Sequence, residues 1–235
     1  VVLAGSMDER PQEAGLAHFM EHMAFRGTRG FRAADMVALF QRLGVEYGSD
    51  VNAVTAHDYT SYMLDYRENS AELLREGLKF FRGIADGPTF DPTAIEQERR
   101  VIMAEMRSRG GLAEQQIFDA FPIVFRGLSF ARHVPIGTER TISSFNRNHF
   151  VQFHQRQYRP DLMVIVAAGD FDPAEMASLV REGFGDLPRA SGNPPDRNEG
   201  RLDARGLRAG IFQIRGVGSV DVMAASVVPP DNRPD

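Results

Sequence analysis

The chain has 235 residues, of which 43% are hydrophobic and 25% are charged, a composition typical of a globular protein large enough to bury a core. Its formal net charge of −5 offers no basic surface to nucleic acid, and no run of about 18 apolar residues exists to span a membrane. The absence of cysteine excludes disulfides, thiolate metal sites and cysteine nucleophiles.

Helical and strand-like patterns are interleaved along most of the chain. Short apolar or alternating runs predict strands at residues 1–4, 45–56, 60–66 and 162–168, the last being the clearest buried strand. After a helix that begins near residue 15, apolar residues at helical spacing predict helices over residues 33–43, 70–85, 91–109, 112–125, 144–157 and 172–184. Together they predict an α+β fold in which helices pack on a mixed, mostly antiparallel sheet.

The composition changes near residue 188. Residues 188–208 are polar and rich in Gly, Pro, Asn and Arg, which predicts a linker between a first domain (1–187) and the start of a second domain (209–235). The chain begins inside an apolar run without an initiator methionine, so we expect a fragment with a truncated N-terminal strand, and any signal peptide would lie upstream.

Residues 18–22 carry the clearest chemical signal, the pattern H-x-x-E-H. On a helix, His18 and His22 lie within roughly 40° of each other and Glu21 about 60° to one side, so all three side chains face one cavity. Two imidazoles and a carboxylate on one face predict a Zn²⁺ site in which Glu21 takes a proton from an activated water. The alternative, polar residues on an ordinary amphipathic helix, is disfavoured by the apolar residues that flank the pattern on both sides.

A third ligand is expected on the predicted helix 91–109. Glu98 and Glu105 are two turns apart, so both carboxylates lie on one face to within about 20°. Spacing alone allows either residue to bind the metal.

Residues 15–28, G-L-A-H-F-M-E-H-M-A-F-R-G-T, resemble the active-site segment of the pitrilysin/insulinase family of zinc peptidases. That family includes the mitochondrial processing peptidase and bacterial periplasmic relatives. Further segments resemble its other landmarks in the same order, at residues 48–55, 60–62, 96–106, 135–138, 158–160 and 169–170, so the resemblance covers roughly residues 1–190.

The resemblance implies a zinc metalloendopeptidase that holds one Zn²⁺ in its catalytic domain, with Glu21 as the general base. It implies Glu105, the glutamate before Met106, as the third ligand beside His18 and His22, and Glu98 as a carboxylate that orients a ligand histidine. The separation along the sequence favours the opposite assignment. In relatives the number of residues between the second histidine and the third ligand is closer to the 76 that separate His22 from Glu98. We prefer the motif, since loop insertions change such distances without moving a helix face.

The resemblance also implies how substrate binds. The strand that contains Asn52 and Ala53 would receive a peptide as an added strand. From its position just past the motif, Phe25 is also expected to line the substrate pocket. The alternative for Asn52 is that its side chain only satisfies a turn or a strand end. The alternative for Phe25 is that its ring packs in the core.

The implied partners are a peptide or unfolded protein and a second homologous domain or subunit that closes the cleft, with a periplasmic or secreted location. Family members that lose the motif serve as non-catalytic subunits, so a catalytically silent binding or assembly partner is the alternative function. All motif residues are intact here, which favours the peptidase.

Overall fold

The computed structural model describes residues 1–67, 70–109, 112–203, 205–211 and 222, and for residues 109 and 112–117 it describes the backbone alone. The helices are α1 (Leu16–Ala24), α2 (Ala33–Leu43), α3 (Ala71–Asp86), α4 (Pro92–Arg109), α5 (Leu112–Val124), α6 (Glu139–Ser144), α7 (Arg147–Gln157) and α8 (Pro173–Phe184). The strands are β1 (Gly27–Thr28), β2 (Phe31–Arg32), β3 (Val51–Thr55) and β4 (Thr60–Leu64). No helix in the described part of the chain is long and apolar enough to cross a membrane.

The strands form two small antiparallel sheets. β3 pairs with β4, with Val51 opposite Leu64 and Thr55 opposite Thr60, and β1 pairs with β2. The predicted α+β class is therefore confirmed, and so are the predicted helices to within a few residues. At the start of the chain, Val2 forms single bridges to both Thr60 and Met163, so the predicted strand at residues 1–4 is reduced to a short extended segment beside β4.

The prediction of a buried strand at residues 162–168 is wrong. Val164 exchanges two backbone hydrogen bonds with Val1, and Leu3 donates to Leu162, but within the described residues this pairing goes no further. Val166 is consequently 76% exposed. An apolar run forms a buried strand only where neighbouring strands pair with it on both sides. The run itself does not show whether such neighbours are present.

Two other predicted segments differ from the structure or lie largely outside its described residues. Residues 45–50, predicted as the first half of a strand, form a turn that precedes β3. Most of the second domain predicted from residue 209 lies outside the described residues, so that boundary stays a prediction.

The predicted linker lies against the first domain over part of its length. Arg159 donates hydrogen bonds to the backbone carbonyls of Ser191, Gly192 and Asn193. Arg197 binds the carboxylate of Asp8 at 2.7 Å. These guanidinium contacts hold residues 191–197 on the surface of the domain.

α1 lies at the centre of the core. Every residue of α1 except His22 is buried, and the helix packs against α4, α7 and β3. The Phe19 ring, fully buried, meets the Phe150 ring edge-on at a centroid distance of 4.9 Å. A helix buried on nearly all sides cannot shift or rotate without disturbing close packing, so its polar residues are held in fixed positions.

The N-terminus of α1 is held by a buried carboxylate. Glu9 accepts hydrogen bonds from the backbone N–H groups of Gly15 and Ala17, at 3.0 and 2.7 Å, which satisfies donors that have no partner inside the helix. Gly15 has a φ of 91°, and a Cβ there would lie 2.8 Å from Gly137 Cα, so this turn into the helix requires glycine. Burial raises the pKa of Glu9 well above its ordinary value despite these donors.

We expect Phe19→Ala to lower the free energy of unfolding by about 3–5 kcal/mol, because it leaves a cavity among rings that cannot collapse to fill it. Urea unfolding followed by far-UV circular dichroism measures the change. Val37→Ala on α2 is the control, since Val37 is 60% exposed and its truncation should change stability by no more than about 0.5 kcal/mol. Equal effects of the two substitutions would contradict the central position of α1 in the core.

Candidate metal centre

α1 brings the three residues of the predicted motif together. His18 and His22 are one turn apart, and their rings lie at a centroid distance of 4.8 Å with an interplanar angle of 80°. One donor atom from each of His18, Glu21 and His22 lies within 4.8 Å of the other two. His18 and Glu21 are buried, whereas His22 is partly accessible. The three side chains thus converge on one small volume at the edge of the core.

α4 adds a carboxylate to this cluster. One oxygen of Glu105 lies 3.7 Å from His18 Nε2, and the other lies 3.5 Å from His22 Nε2. Two ligands that bind one tetrahedral zinc at about 2.0–2.1 Å are about 3.4 Å apart, so these separations match those of groups that share a metal. Both are too long for a good N–H···O hydrogen bond. Two imidazoles and a carboxylate are also a donor set that zinc accepts.

Glu98, also on α4, approaches the His22 ring from the side opposite Glu105. Its Oε2 lies 3.0 Å from His22 Nδ1, at hydrogen-bond distance, and its Oε1 accepts from Arg26. Burial acts to raise the pKa of Glu98, but the hydrogen bonds with His22 and Arg26 outweigh it and hold the pKa below its ordinary value. Glu98 is therefore an anionic group that fixes the orientation of the His22 ring and leaves Nε2 directed at Glu105.

The charge of His22 reflects its carboxylate neighbours. Burial acts to lower its pKa, but the nearby Glu105 carboxylate, the hydrogen bond to Glu98 and the charge of Glu21 outweigh that effect and raise the pKa of His22 to about 9. Without a metal, the imidazole therefore carries a proton at neutral pH. A cation at this position is stabilised by the surrounding carboxylates.

Glu21 is fixed by a residue to which sequence reasoning assigned no role. Thr55, at the end of β3, donates its hydroxyl hydrogen to Glu21 Oε2 at 2.5 Å. Side chains along β3 alternate between the two faces, and the less exposed positions Val51, Ala53 and Thr55 lie on the face towards α1. That alternation, counted from a buried Val51, is the sequence signal that could have identified Thr55.

The strand predicted to bind substrate is β3. Backbone hydrogen bonds join Asp65 to Asp50 and Ala56 to Tyr59. In an antiparallel ladder hydrogen-bonded and non-hydrogen-bonded pairs alternate, so Ala53, opposite Tyr62, belongs to a non-hydrogen-bonded pair and its backbone groups point away from β4. Among the described residues no third strand pairs with that edge of β3. Asn52 is exposed, and its side-chain oxygen accepts the N–H of Ala53 at 2.9 Å.

Phe25 follows the last residue of α1 and is partly buried. Its ring packs on Phe80 and Tyr62 in the core, at centroid distances of 5.8 and 6.3 Å. Phe25 therefore packs in the core, as one of its two predicted roles requires, and its role in lining a substrate pocket stays a prediction.

Comparisons with known proteins agree with this geometry. The sequence profile described as "Insulinase (Peptidase family M16)" matches residues 1–121, and that described as "Peptidase M16 inactive domain" matches residues 144–234. The probable zinc protease PqqL of Escherichia coli (strain K12) is 29% identical over 184 residues, which cover 78% of this chain and 20% of PqqL.

Solved structures show the same relationship. The first half of the periplasmic protease PqqL from Escherichia coli aligns with a TM-score of 0.81 at 27% identity, over 87% of this chain and 43% of that chain. The ferredoxin protease FusC, solved in complex with Arabidopsis ferredoxin, aligns with a TM-score of 0.80 at 27% identity, over 87% of this chain and 22% of that one.

The chain spans about a fifth of the length of the first curated relatives that it matches. The first profile covers just over half of the 235 residues and includes α1 and α4, the two helices that carry the cluster. Those relatives are named zinc proteases, which implies zinc as the metal of the family. The resemblance expected from the sequence is confirmed, and the chain belongs to the insulinase family, peptidase family M16.

Proposed function

We propose that this chain is the catalytic part of a zinc metalloendopeptidase and binds one Zn²⁺ through His18, His22 and Glu105. The observation that supports this assignment best is the approach of the two Glu105 oxygens to the two Nε2 atoms, at 3.7 and 3.5 Å. Bound zinc would supply a Lewis acid for the scissile carbonyl and would activate a water molecule. The roles of the protein groups follow from their positions around that centre.

Glu21 is the proposed general base. Its carboxylate lies beside both histidines, and the hydrogen bond from Thr55 limits its rotation. From that position Glu21 takes a proton from the attacking water and returns it to the leaving amine.

Glu98 and Arg26 are proposed to orient the site. Glu98 holds His22 through Nδ1, and Arg26 holds Glu98, so a hydrogen-bonded chain leads from the accessible surface to a ligand. Partners of this kind typically change metal affinity by about 10–100-fold when they are removed.

The substrate is proposed to be an extended peptide or unfolded protein that adds to the open edge of β3. Ala53 would offer its backbone groups to the peptide, and the Asn52 amide, which holds the Ala53 N–H in the free protein, would contact the incoming strand. A second homologous domain, or a partner subunit, is proposed to close over this edge; the profile described as an inactive domain, which matches residues 144–234, is consistent with the presence of such domains in the family. The periplasmic relative supports a periplasmic location.

The ligand assignment predicts distinct effects for the two glutamates of α4. In the full-length protein, Glu105→Gln should reduce zinc content after dialysis from about one per chain to near zero, because one of three ligands loses its charge. Glu98→Gln should retain zinc with an affinity weakened by about 10–100-fold. Elemental analysis and competition with a chelator measure both. Loss of zinc in Glu98→Gln alone would reverse the assignment.

The general-base assignment predicts a protein that binds zinc but is inactive. Glu21→Gln should keep its zinc and lower kcat for peptide cleavage by about 10²–10⁴-fold, because the amide cannot accept the proton. Wild-type protein with full zinc content and no cleavage of any peptide would support the catalytically silent subunit instead. Loss of zinc in Glu21→Gln would mean that Glu21 is a ligand and not a base.

The raised pKa of His22 predicts that zinc and a proton compete. Below pH 9, zinc must displace the His22 proton, so the apparent affinity should fall about tenfold for each unit of decreasing pH and level off above pH 9. Competition titrations at pH 7, 8 and 9 measure the slope. Glu98→Gln removes one group that raises the pKa, so its affinity should level off at a lower pH. Equal affinity at pH 7 and pH 9 would contradict the prediction.

A further inference from the structure

The backbone around Thr55 is held from two directions. The carbonyl of the next residue, Ala56, accepts the N–H of Ser6 at 3.1 Å. On the neighbouring strand, Thr60 lies opposite Thr55 and exchanges two backbone hydrogen bonds of 2.8 Å with Val2. These contacts fix the end of β3 without any contribution from the Thr55 side chain.

The Thr55 side chain joins this strand to the motif helix. Its hydroxyl donates to Glu21 Oε2 at 2.5 Å, a length typical of an O–H group bound to an ionised carboxylate. Glu21 is buried on α1, and the backbone of that helix is held by packing on nearly all sides. Because both backbones are fixed, the hydrogen bond selects the rotamer of the Glu21 side chain.

The backbone of Thr55 faces the open edge of β3. Thr60 uses its N–H and C=O on the side of β4 away from β3, so the Thr55–Thr60 pair is not hydrogen-bonded within the ladder. The N–H and C=O of Thr55 therefore point away from β4, as those of Ala53 do. Val51, the remaining position of this kind on β3, already accepts the N–H of Gly48 at 2.8 Å. A peptide added along this edge therefore meets the backbones of Ala53 and Thr55.

We propose that Thr55 is a positioning residue that places the Glu21 carboxylate relative to the bound peptide: its backbone pairs with the peptide, and its hydroxyl holds the carboxylate. The inference rests on the proposed function and adds to it a residue that connects peptide binding with proton transfer. A general base acts only within hydrogen-bond reach of the water that it deprotonates. The rotamer selected by Thr55 therefore affects the chemical step, whereas the affinity for the peptide depends on the backbone of β3.

The test measures kcat and KM of the full-length, zinc-loaded protein with one fluorogenic peptide. Thr55→Val keeps the β-branched shape and removes the hydroxyl, so we expect kcat to fall about tenfold while KM and zinc content stay unchanged. Thr55→Ser should restore most of kcat because the hydroxyl remains. Val54→Ala is the matched control, since Val54 precedes Thr55 on β3, is 42% exposed and faces the opposite side of the strand.

Three results would overturn the inference. An equal loss of kcat in Thr55→Ser and Thr55→Val would show that the hydroxyl is not the group that matters. Loss of zinc in Thr55→Val would show that Thr55 acts on the metal ligands. A rise of KM with unchanged kcat would show that Thr55 acts on peptide binding alone.

A stability measurement separates this inference from the proposed function. In the full-length protein after removal of zinc with a chelator, Thr55→Val should lower the midpoint of urea unfolding. In a Glu21→Ala background the same substitution should have a much smaller effect, because the hydroxyl has lost that acceptor. Additive effects of the two substitutions would contradict the role of Thr55 even in an active peptidase. If wild type cleaves no peptide, the peptidase proposal fails, and this double-mutant cycle alone decides whether Thr55 positions Glu21.

Discussion

The packing of α1 against α4 is the contact on which the rest of the site depends. α1 supplies His18, Glu21 and His22, and α4 supplies Glu98 and Glu105, so neither helix holds the cluster alone. Glu98 and Glu105 are about 10.5 Å apart along the axis of α4. The crossing of the helices places Glu98 at Nδ1 and Glu105 at Nε2 of one ring, His22. Burial of α1 on its other sides maintains that crossing.

The sequence predicted the part of this arrangement that is local. The order of residues on one helix fixes which side chains share a face, so the convergence of His18, Glu21 and His22 followed from their spacing. The choice between Glu98 and Glu105 did not follow from spacing, because both lie on the same face of α4. In the structure the two carboxylates differ in position: Glu98 lies at Nδ1 of His22, whereas Glu105 lies near Nε2 of both histidines. That difference is a property of the packed pair of helices.

The strands were predicted less well for a related reason. β3 and β4 are joined by a short turn, so each supplies the neighbour of the other, and both were identified. The run at residues 162–168 has the same apolar character, but its partner on one side is a segment more than 150 residues earlier in the chain, and the pairing stops at Val164. Thr55 was missed because its partner, Glu21, lies on another element. Local patterns predict which residues can be buried or bonded, whereas distant parts of the chain decide whether they are.

The charges of the cluster link its structure to metal binding. Glu21, Glu98 and Glu105 surround two imidazoles in a largely buried volume, and Arg26 pairs with Glu98. Carboxylates gathered away from water stabilise a cation among them, and in the absence of metal the proton on His22 supplies that positive charge. A divalent ion that displaces this proton brings one more unit of positive charge to the same carboxylates. The carboxylates that raise the pKa of His22 therefore also favour the binding of a divalent cation to the neutral imidazole.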